Sequence, residues 1–220
     1  MIVRTLRQGF TLLEMMVVIV IIGILSTYLV VNAPQWFDRA NATASERNMV
    51  RLYQFLLDYQ QNNNMNWPTD SGQRFFIRPW KDGLIEKTEQ QALAFFSPAY
   101  TYKDCAQENG VDPEAVSIME YLDNWDAIGP GYTSYAGFNA SQDKDARLRL
   151  KRSPGSVAIV SDAFMIHRFG MIYMTADSAT HRLQHTEIEE ETGLDLNDEA
   201  VIFRAGPGCG IKVLETVSND

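Results

Sequence analysis

Gln8-Gly9-Phe10-Thr11-Leu12-Leu13-Glu14 opens an apolar run that continues to Ala33, and this stretch decides how the chain is organised. The span 10–33 is long enough to cross a hydrocarbon core of about 30 Å at about 1.5 Å per residue. Glu14 is the only charged residue in that span. Because a carboxylate inside hydrocarbon costs at least about 2.5 kcal/mol, a glutamate at this place points to a function.

Two simpler interpretations of the run fit less well. A secretory signal has an apolar core of about 7–15 residues followed by small residues, and Val31-Asn32-Ala33 imitates such a cleavage site. The run is longer than that core, it contains Glu14, and Pro34 would follow the cut. A plain membrane anchor fits the length but leaves Glu14 unexplained.

The order of residues around Gly9 is more specific. A basic leader carrying Arg4 and Arg7 precedes Gly9-Phe10-Thr11-Leu12-Leu13-Glu14, and Met15-Met16-Val17-Val18-Ile19 follows. This order resembles the class III signal of type IV pilins and type II secretion pseudopilins. The resemblance implies that a prepilin peptidase cuts between Gly9 and Phe10. It also implies that the new N-terminal Phe10 is methylated and that Glu14 becomes the fifth mature residue.

The same resemblance implies a single-pass protein of the bacterial inner membrane. Arg4 and Arg7 favour a cytoplasmic N-terminus by the positive-inside bias, which places the head in the periplasm or outside the cell. Cleavage gives Phe10 an α-amino cation, which Glu14 of a neighbouring subunit can neutralise. The partners implied are the prepilin peptidase, copies of itself and other pseudopilins in a helical filament, the inner-membrane assembly platform and membrane lipid.

The charge balance of the chain is acidic. Its 220 residues include 19 Lys and Arg against 28 Asp and Glu, which gives a net charge of −9. We see no basic stripe in the sequence, so we expect no binding to nucleic acid through its phosphates.

The fold class we predict is α+β, with a long N-terminal helix packed on a C-terminal antiparallel β-sheet head, the lollipop shape of pilins. The predicted parts are a leader (1–9), a transmembrane and filament-core helix (10–33), an amphipathic extension (34–66) and the head (67–220). We expect Pro34 to kink or break the helix. The apolar stripe of the extension is predicted at Trp36, Phe37, Ala40, Ala44, Val50, Tyr53, Leu56 and Leu57.

The middle of the chain carries mixed signals. We predict, in order, a strand at 74–78, a helix from Thr88 to Phe96 capped by Thr88, a helix opening at Asp112-Pro113-Glu114, and an aromatic strand or loop at 132–140. The C-terminal part is predicted to be antiparallel sheet. Its strands are expected at Val157–Val160, Met171–Met174, Ala200–Phe203 and Ile211–Leu214, with a hairpin around the histidines.

Part of this C-terminal region resembles the pseudopilin-like families of planctomycetes and related bacteria, which carry a His, nine residues and then Asp-Gly. Here His167 precedes Asp177 at that spacing, and Ser178 stands in place of the glycine. A Ser-Tyr-Gly-Tyr-Asn-like segment of these families is echoed at 134–139, and a strand ending in Asp is echoed at 157–162.

Two metal sites are conceivable from residue types. Asp177, His181 and His185 are spaced four apart, which puts them on one face of a helix or a strand and makes a metal site geometrically possible. The candidate ligands of a transition metal are His167, Asp177 and His181. The alternative is that the His pair simply forms an exposed strand face. An acidic segment runs from Glu187 to Glu199 without Lys or Arg. Its oxygen ligands suit Ca²⁺, as in the C-terminal loop of major pseudopilins, and Asp195 and Asp198 are the closest candidates. The alternative is a solvated loop that keeps the head soluble.

The two cysteines leave two possibilities open. Cys105 and Cys209 are too few for a disulfide scaffold. In an extracytoplasmic head they could form one bridge, which would close a long loop at a gain of roughly 4–5 kcal/mol. Otherwise they are two unpaired thiols.

The sequence predicts no enzyme. It contains no Gly-x-Ser-x-Gly, P-loop, dinucleotide fingerprint or His-Glu-x-x-His motif. Asp162 and His167 could be posed as a pair, but no nucleophile stands beside them. The alternative to a filament subunit is a membrane-anchored extracytoplasmic domain that binds metal or carries out hydrolysis.

Overall fold

The computed structural model describes residues 11–140, 144–198 and 200–220. The leader, the bond between Gly9 and Phe10, and Glu199 lie outside these residues. The chain divides into two compact units, Met1–Arg39 and Ala40–Asp220. We describe each unit by itself.

Helix α1 runs from Leu12 to Asn62 without interruption. Pro34 lies inside it, so the break that a proline can cause does not occur. A proline removes one helical hydrogen bond, and the helix here continues past that loss on both sides.

The part of α1 that belongs to the second unit buries a different stripe from the one predicted. Its buried residues are Ala42, Ser45, Met49, Leu52, Phe55, Leu56, Tyr59 and Gln60. Val50, which we placed in the stripe, is 41% exposed. The prediction placed Leu56 in the stripe correctly but omitted the apolar residues Met49, Leu52 and Phe55. Ser45 joins the buried face because its hydroxyl is hydrogen-bonded to that of Ser97 at 2.8 Å, which offsets the cost of burying it.

Six shorter helices follow α1 within the described residues. They are α2 (Gln73–Lys81), α3 (Glu89–Ala92), α4 (Tyr102–Glu108), α5 (Ile118–Asp123), α6 (Lys144–Arg152) and α7 (His185–Thr192). Short 3₁₀ turns lie at Leu93–Phe95, Trp125–Ala127, Pro154–Ser156 and Leu214–Thr216. The helix predicted from Thr88 is confirmed, because the Thr88 hydroxyl accepts a hydrogen bond from the Gln91 N–H at 3.4 Å.

The strand predicted at 74–78 is wrong, because these residues lie in α2. Phe75, Phe76 and Ile77 are all fully buried, and Trp80 continues the same buried surface one turn later. A short apolar run does not distinguish a buried strand from a buried helix.

The helix predicted to open at Asp112 is also wrong. Asp112 accepts a hydrogen bond from the Glu114 N–H at 3.0 Å, but this closes a turn. The helix begins later, at α5, where Ser117 and Glu120 form a reciprocal capping box. Helices α4, α6 and α7 were not predicted.

The sheet has five antiparallel strands in the order β4-β3-β2-β1-β5. The strands are β1 (Tyr135–Phe138), β2 (Ala158–Asp162), β3 (Gly170–Thr175), β4 (Thr180–Gln184) and β5 (Val217–Ser218). The aromatic strand, the strand ending in Asp162 and the hairpin are confirmed. The α+β class, with a long N-terminal apolar helix and a C-terminal antiparallel sheet, is confirmed as well.

Two predicted strands do not form. Ala200–Phe203 does not form a strand. The next residue, Arg204, makes an isolated β-bridge to Phe164. Residues 211–214 form a turn that leads into a 3₁₀ helix. Ile211 and Leu214 are buried all the same, because a turn can also place apolar side chains in a core.

Both faces of the sheet are covered. Along β3, Ile172 and Met174 belong to the core cluster that contains α2 and the second-unit part of α1. Met171 points into a second cluster formed by Ile188 of α7 and the C-terminal segment. The alternation along β3 follows the two-residue period of a strand.

Candidate assembly segment and the polar residues of the head

The first part of α1 presents an apolar surface on all sides. Between Leu12 and Val31, nearly every large apolar side chain is about half exposed or more. Among the described residues, α1 is the one helix that is long and apolar enough to cross a membrane. An unpartnered apolar helix of this kind needs lipid or other helices around it.

Polar side chains within this segment bond to the helix itself. The Thr27 hydroxyl donates to the carbonyl of Gly23 at 2.9 Å, and the Asn32 amide donates to the carbonyl of Tyr28 at 2.8 Å. These bonds satisfy the polar groups without water, which a segment in hydrocarbon requires. Tyr28 and Trp36 lie with their rings 6.4 Å apart near the end of the apolar run, where aromatic residues commonly mark a membrane interface.

Glu14 and Thr11 form a reciprocal cap at the start of α1. The Glu14 carboxylate accepts hydrogen bonds from the Thr11 N–H at 2.8 Å and from the Thr11 hydroxyl at 2.9 Å. The Glu14 N–H donates to the Thr11 hydroxyl oxygen at 3.2 Å. Our sequence reasoning missed this cap, although Thr-x-x-Glu before an apolar run is its usual signal. Glu14 therefore has a partner within one subunit.

A buried carboxylate lies where β2 ends. Asp162 accepts a hydrogen bond from the Ile172 N–H at 2.7 Å, and its other oxygen, Oδ1, has no hydrogen-bond partner among the described residues. His167 Nε2 lies 3.9 Å from Asp162 Oδ2, and the His167 ring stacks on Phe169. Burial raises the pKa of Asp162 well above its usual range, and the Ile172 bond opposes this only in part.

Asp177 and His181 meet at the turn between β3 and β4. The Thr175 hydroxyl donates to Asp177 Oδ1 at 2.5 Å and lies 3.4 Å from His181 Nε2. The Thr175 bond lowers the pKa of Asp177, with a smaller contribution from the Ala179 N–H. These bonds close a hairpin turn.

The three residues proposed as transition-metal ligands are not brought together. His167 precedes β3 and Asp177 follows it, so the length of that strand, roughly 17 Å, separates them. His185 starts α7 and does not share a strand face with His181. In the described part of the chain, no group of three His, Cys, Asp or Glu residues is placed to hold a metal ion.

The acidic segment that suggested calcium folds mainly as α7 and a following turn. Asp195 Oδ1 accepts from the Asn197 N–H at 3.1 Å, and Asp198 Oδ1 accepts from the Ala200 N–H at 3.0 Å. Each carboxylate thus closes its own turn, and the structure does not unite the two in one site.

Both cysteines are free thiols in the structure. Cys105 is buried in the first core cluster, whereas Cys209 packs against the second. Burial raises the pKa of both thiols, so that neither is activated as a thiolate.

Comparison with known proteins identifies the N-terminal segment. Residues 4–30 match a family model described as the prokaryotic N-terminal methylation motif. The chain is also 39% identical over 66 residues to the type II secretion system core protein G of Vibrio cholerae serotype O1 (strain ATCC 39315 / El Tor Inaba N16961). The matched residues make up 30% of this chain and 45% of that relative. No solved structure matches the chain.

These two findings confirm the prepilin-type resemblance predicted from residues 7–14. Neither finding concerns the narrower pattern of His167 and Asp177. The structure shows only that these two residues stand at the two ends of β3.

Proposed function

We propose that this chain is a structural subunit of a type II secretion or type IV pilus-like filament, cut by a prepilin peptidase and assembled through its N-terminal helix. One observation carries the proposal: the methylation motif at residues 4–30 leads into a helix whose apolar side chains are exposed. Lipid would cover this surface before assembly, and the helices of other subunits would cover it afterwards.

Cleavage between Gly9 and Phe10 gives Glu14 a new partner. The Phe10 α-amino cation of one subunit enters an apolar bundle, where a carboxylate of its neighbour neutralises it. Glu14 then exchanges its bonds to Thr11 for this ion pair. In a medium of low dielectric constant, such a pair selects the register in which the two charges meet, whatever its net energy.

The remaining parts follow from this arrangement. Residues 10–33 supply the membrane anchor and later the filament core, 34–66 continue the helix, and 67–220 form a periplasmic or extracytoplasmic head. The inner-membrane assembly platform extracts the subunit from lipid. The work of the protein is mechanical, so we assign no catalytic residue and no cofactor.

The mature N-terminus tests the processing step. We expect the full chain, expressed with a prepilin peptidase, to begin at Phe10 with a methylated amine when its N-terminus is sequenced by mass spectrometry. An intact Met1 overturns the proposal, and so does a start at Pro34. A control with Gly9→Leu should stay uncut, because the cleaved bond needs a small residue.

Variants of Glu14 separate assembly from helix capping. Gln at position 14 keeps the capping box but removes the charge, whereas Thr11→Ala removes the box and keeps the charge. We expect Glu14→Gln and Glu14→Ala to enter the membrane normally and to lose most filament formation, measured by shearing filaments from cells. Thr11→Ala should still assemble. Normal assembly of Glu14→Gln would show that the carboxylate only caps the helix.

A further inference from the structure

Helix α6 presents a positively charged face on an acidic protein. Ala146 and Leu150 are buried and hold the helix on the head. Asp145 is exposed in the first turn of the helix, and the four exposed residues that follow are Arg147, Leu148, Lys151 and Arg152. Arg147 and Lys151 are four residues apart, and so are Leu148 and Arg152, so the four side chains share one face of the helix. We call these four residues the basic face; our sequence reasoning did not recognise it.

Among the residues that the structure describes, most of the charge on the basic face has no carboxylate partner. In the described ranges of the chain, no carboxylate pairs with Lys151 or Arg152. Arg147 donates to the backbone carbonyl of Thr69 at 2.9 Å, which leaves its charge in place. Leu148 is 51% exposed among these cations.

A groove of the opposite charge lies between β4 and α7, with a volume of about 480 Å³. It is lined by three exposed carboxylates, Glu187, Glu190 and Glu191, together with Tyr173, His181, Arg182 and Leu183. Arg182 does not neutralise them, because it forms a 2.6 Å ion pair with Glu46. Glu187 and Glu191 add to the effect of burial in raising the pKa of Tyr173, so their field reaches the groove floor. We call this surface the acidic groove.

The two surfaces lie at opposite edges of the sheet. The acidic groove adjoins the edge strand β4. Helix α6 borders a cavity whose other walls include Glu215 and Thr216, next to β5 at the far edge. Four interstrand spacings, about 19 Å, separate the edge strands. A single subunit therefore cannot close one surface on the other.

We propose that the basic face of one subunit docks into the acidic groove of a second copy of this chain. The proposal rests on the filament function proposed above. Lys151 and Arg152 would face Glu190 and Glu191, and Leu148 would contact the apolar part of the floor formed by Tyr173 and Leu183. Two copies of this chain each carry a net charge of −9 and repel over most of their surface. An attractive contact between them therefore requires the basic face of one copy to meet an acidic surface of the other, and the acidic groove is such a surface.

The contact joins two different surfaces, so it is head-to-tail. Contacts of this type do not end with a pair. They continue as rings or as open helical filaments, depending on the rotation between subunits. The docking would therefore connect the heads of successive subunits in the same filament that the N-terminal helices build.

Charge reversal tests the docking in the full chain with its assembly machinery. We expect Lys151→Glu alone and Glu190→Lys alone each to lower the yield of sheared filaments several-fold. The double variant restores the attraction with reversed signs and should recover most of the wild-type yield. Added salt should weaken wild-type filaments, because the pairs lie near solvent.

The exposed pair Lys103–Glu114, at 2.5 Å within one subunit, supplies matched controls. Lys103→Glu, Glu114→Lys and their double variant change the charge by the same amounts and should leave the yield unchanged. Melting curves of each variant in detergent micelles show whether the head still folds.

The outcomes distinguish a failure of the docking proposal from a failure of the proposed filament function. If wild type assembles and the single variants behave like their controls, the docking is wrong and the filament function stands. If the double variant does not recover, the two surfaces do not face each other. If Lys151→Glu lowers the yield but Glu190→Lys does not, the basic face binds an acidic partner other than the acidic groove. If wild type is neither cut nor assembled, both proposals fall.

Discussion

Ser178 occupies the left-handed region of backbone conformation, with φ at 71°, in the turn between β3 and β4. The Ser178 N–H donates to the carbonyl of Thr175 at 3.0 Å, so the hairpin holds the residue in this conformation. Glycine adopts such a conformation without a steric cost, whereas other residues do not. The glycine expected after Asp177 from the family resemblance therefore has a physical meaning, and serine here carries strain.

Replacing this serine should stabilise the head. We expect Ser178→Gly to raise the free energy of unfolding by about 0.5–1 kcal/mol, since relief of strain exceeds the added freedom of the unfolded chain. Thermal melting of the full chain in detergent micelles measures the change.

Two control substitutions accompany the melting measurement of Ser178→Gly. Ser178→Ala keeps the strained conformation and should not stabilise. Gly155→Ala should destabilise, because a Cβ there would lie 2.8 Å from Asp177 Oδ2 and displace a carboxylate that accepts hydrogen bonds from Thr175 and Ala179. An unchanged or lower melting temperature for Ser178→Gly would contradict the assignment of strain.

At the scale of elements, Asp162 joins β2 to β3 through a side chain. These strands lose their regular register between Ala158 and Val160. Near the other end of the pairing, the Asp162 carboxyl accepts the Ile172 N–H. The bond satisfies a buried backbone donor, but the price is a carboxyl group inside the core. The titratable groups that face the Asp162 carboxyl are His167 and Tyr135. Burial and the nearby Asp162 both raise the pKa of Tyr135.

Because burial raises the pKa of Asp162, the folded state holds a proton that the unfolded state releases above about pH 4. The folded state binds more protons, so this residue lowers stability as the pH rises. We expect the stability of wild type relative to Asp162→Asn to fall as the pH rises above about 4, by up to about 1.4 kcal/mol per pH unit.

Asp177 supplies the opposite case for this measurement. Its pKa is lowered by hydrogen bonds, so the stability it contributes is present above its ordinary pKa of 3.8 and is lost below it. Wild type relative to Asp177→Asn should thus lose stability on acidification. A flat difference between wild type and Asp162→Asn across pH 4–7 would show that Asp162 is ionised in the folded state.

At the scale of the whole molecule, the two units of the chain expose different kinds of surface. The first unit exposes an apolar helix with one carboxylate near its start. The second unit buries its apolar residues on both sides of a sheet and exposes separated positive and negative surfaces. Apolar contact supplies strength without direction, whereas charge pairs mainly select orientation. The charge-reversal experiment belongs to this scale, because it tests contacts between copies.

Whether the two cysteines form a disulfide is also decided at the scale of the whole molecule. Sequence left open whether Cys105 and Cys209 form a bridge. The structure places them in two core clusters that are separated by the sheet, and both are free. Because neither cysteine lies in a strand, residue types and spacing do not show on which side of the sheet its segment will pack.

The N-terminal segment could be predicted from sequence because its properties are those of consecutive residues. The apolar length, the single charge at Glu14 and the order Gly9-Phe10 are local, and a membrane-length helix satisfies its own backbone. The α+β class, the aromatic strand β1 and the strands β2 and β3 also followed from short runs of aromatic and β-branched residues bounded by turn signals. Even the cap between Thr11 and Glu14 was readable, although we missed it.

Only the tertiary structure decided the polar sites of the head. It showed that 74–78 is helix, that His167 and Asp177 are separated by β3, and that Asp162 is buried beside His167. It also placed Glu187, Glu190 and Glu191 beside β4, and it packed Ala146 and Leu150 on the head so that the charges of α6 face outward. These facts depend on contacts between residues far apart in the chain, and such contacts are set by how the whole core packs.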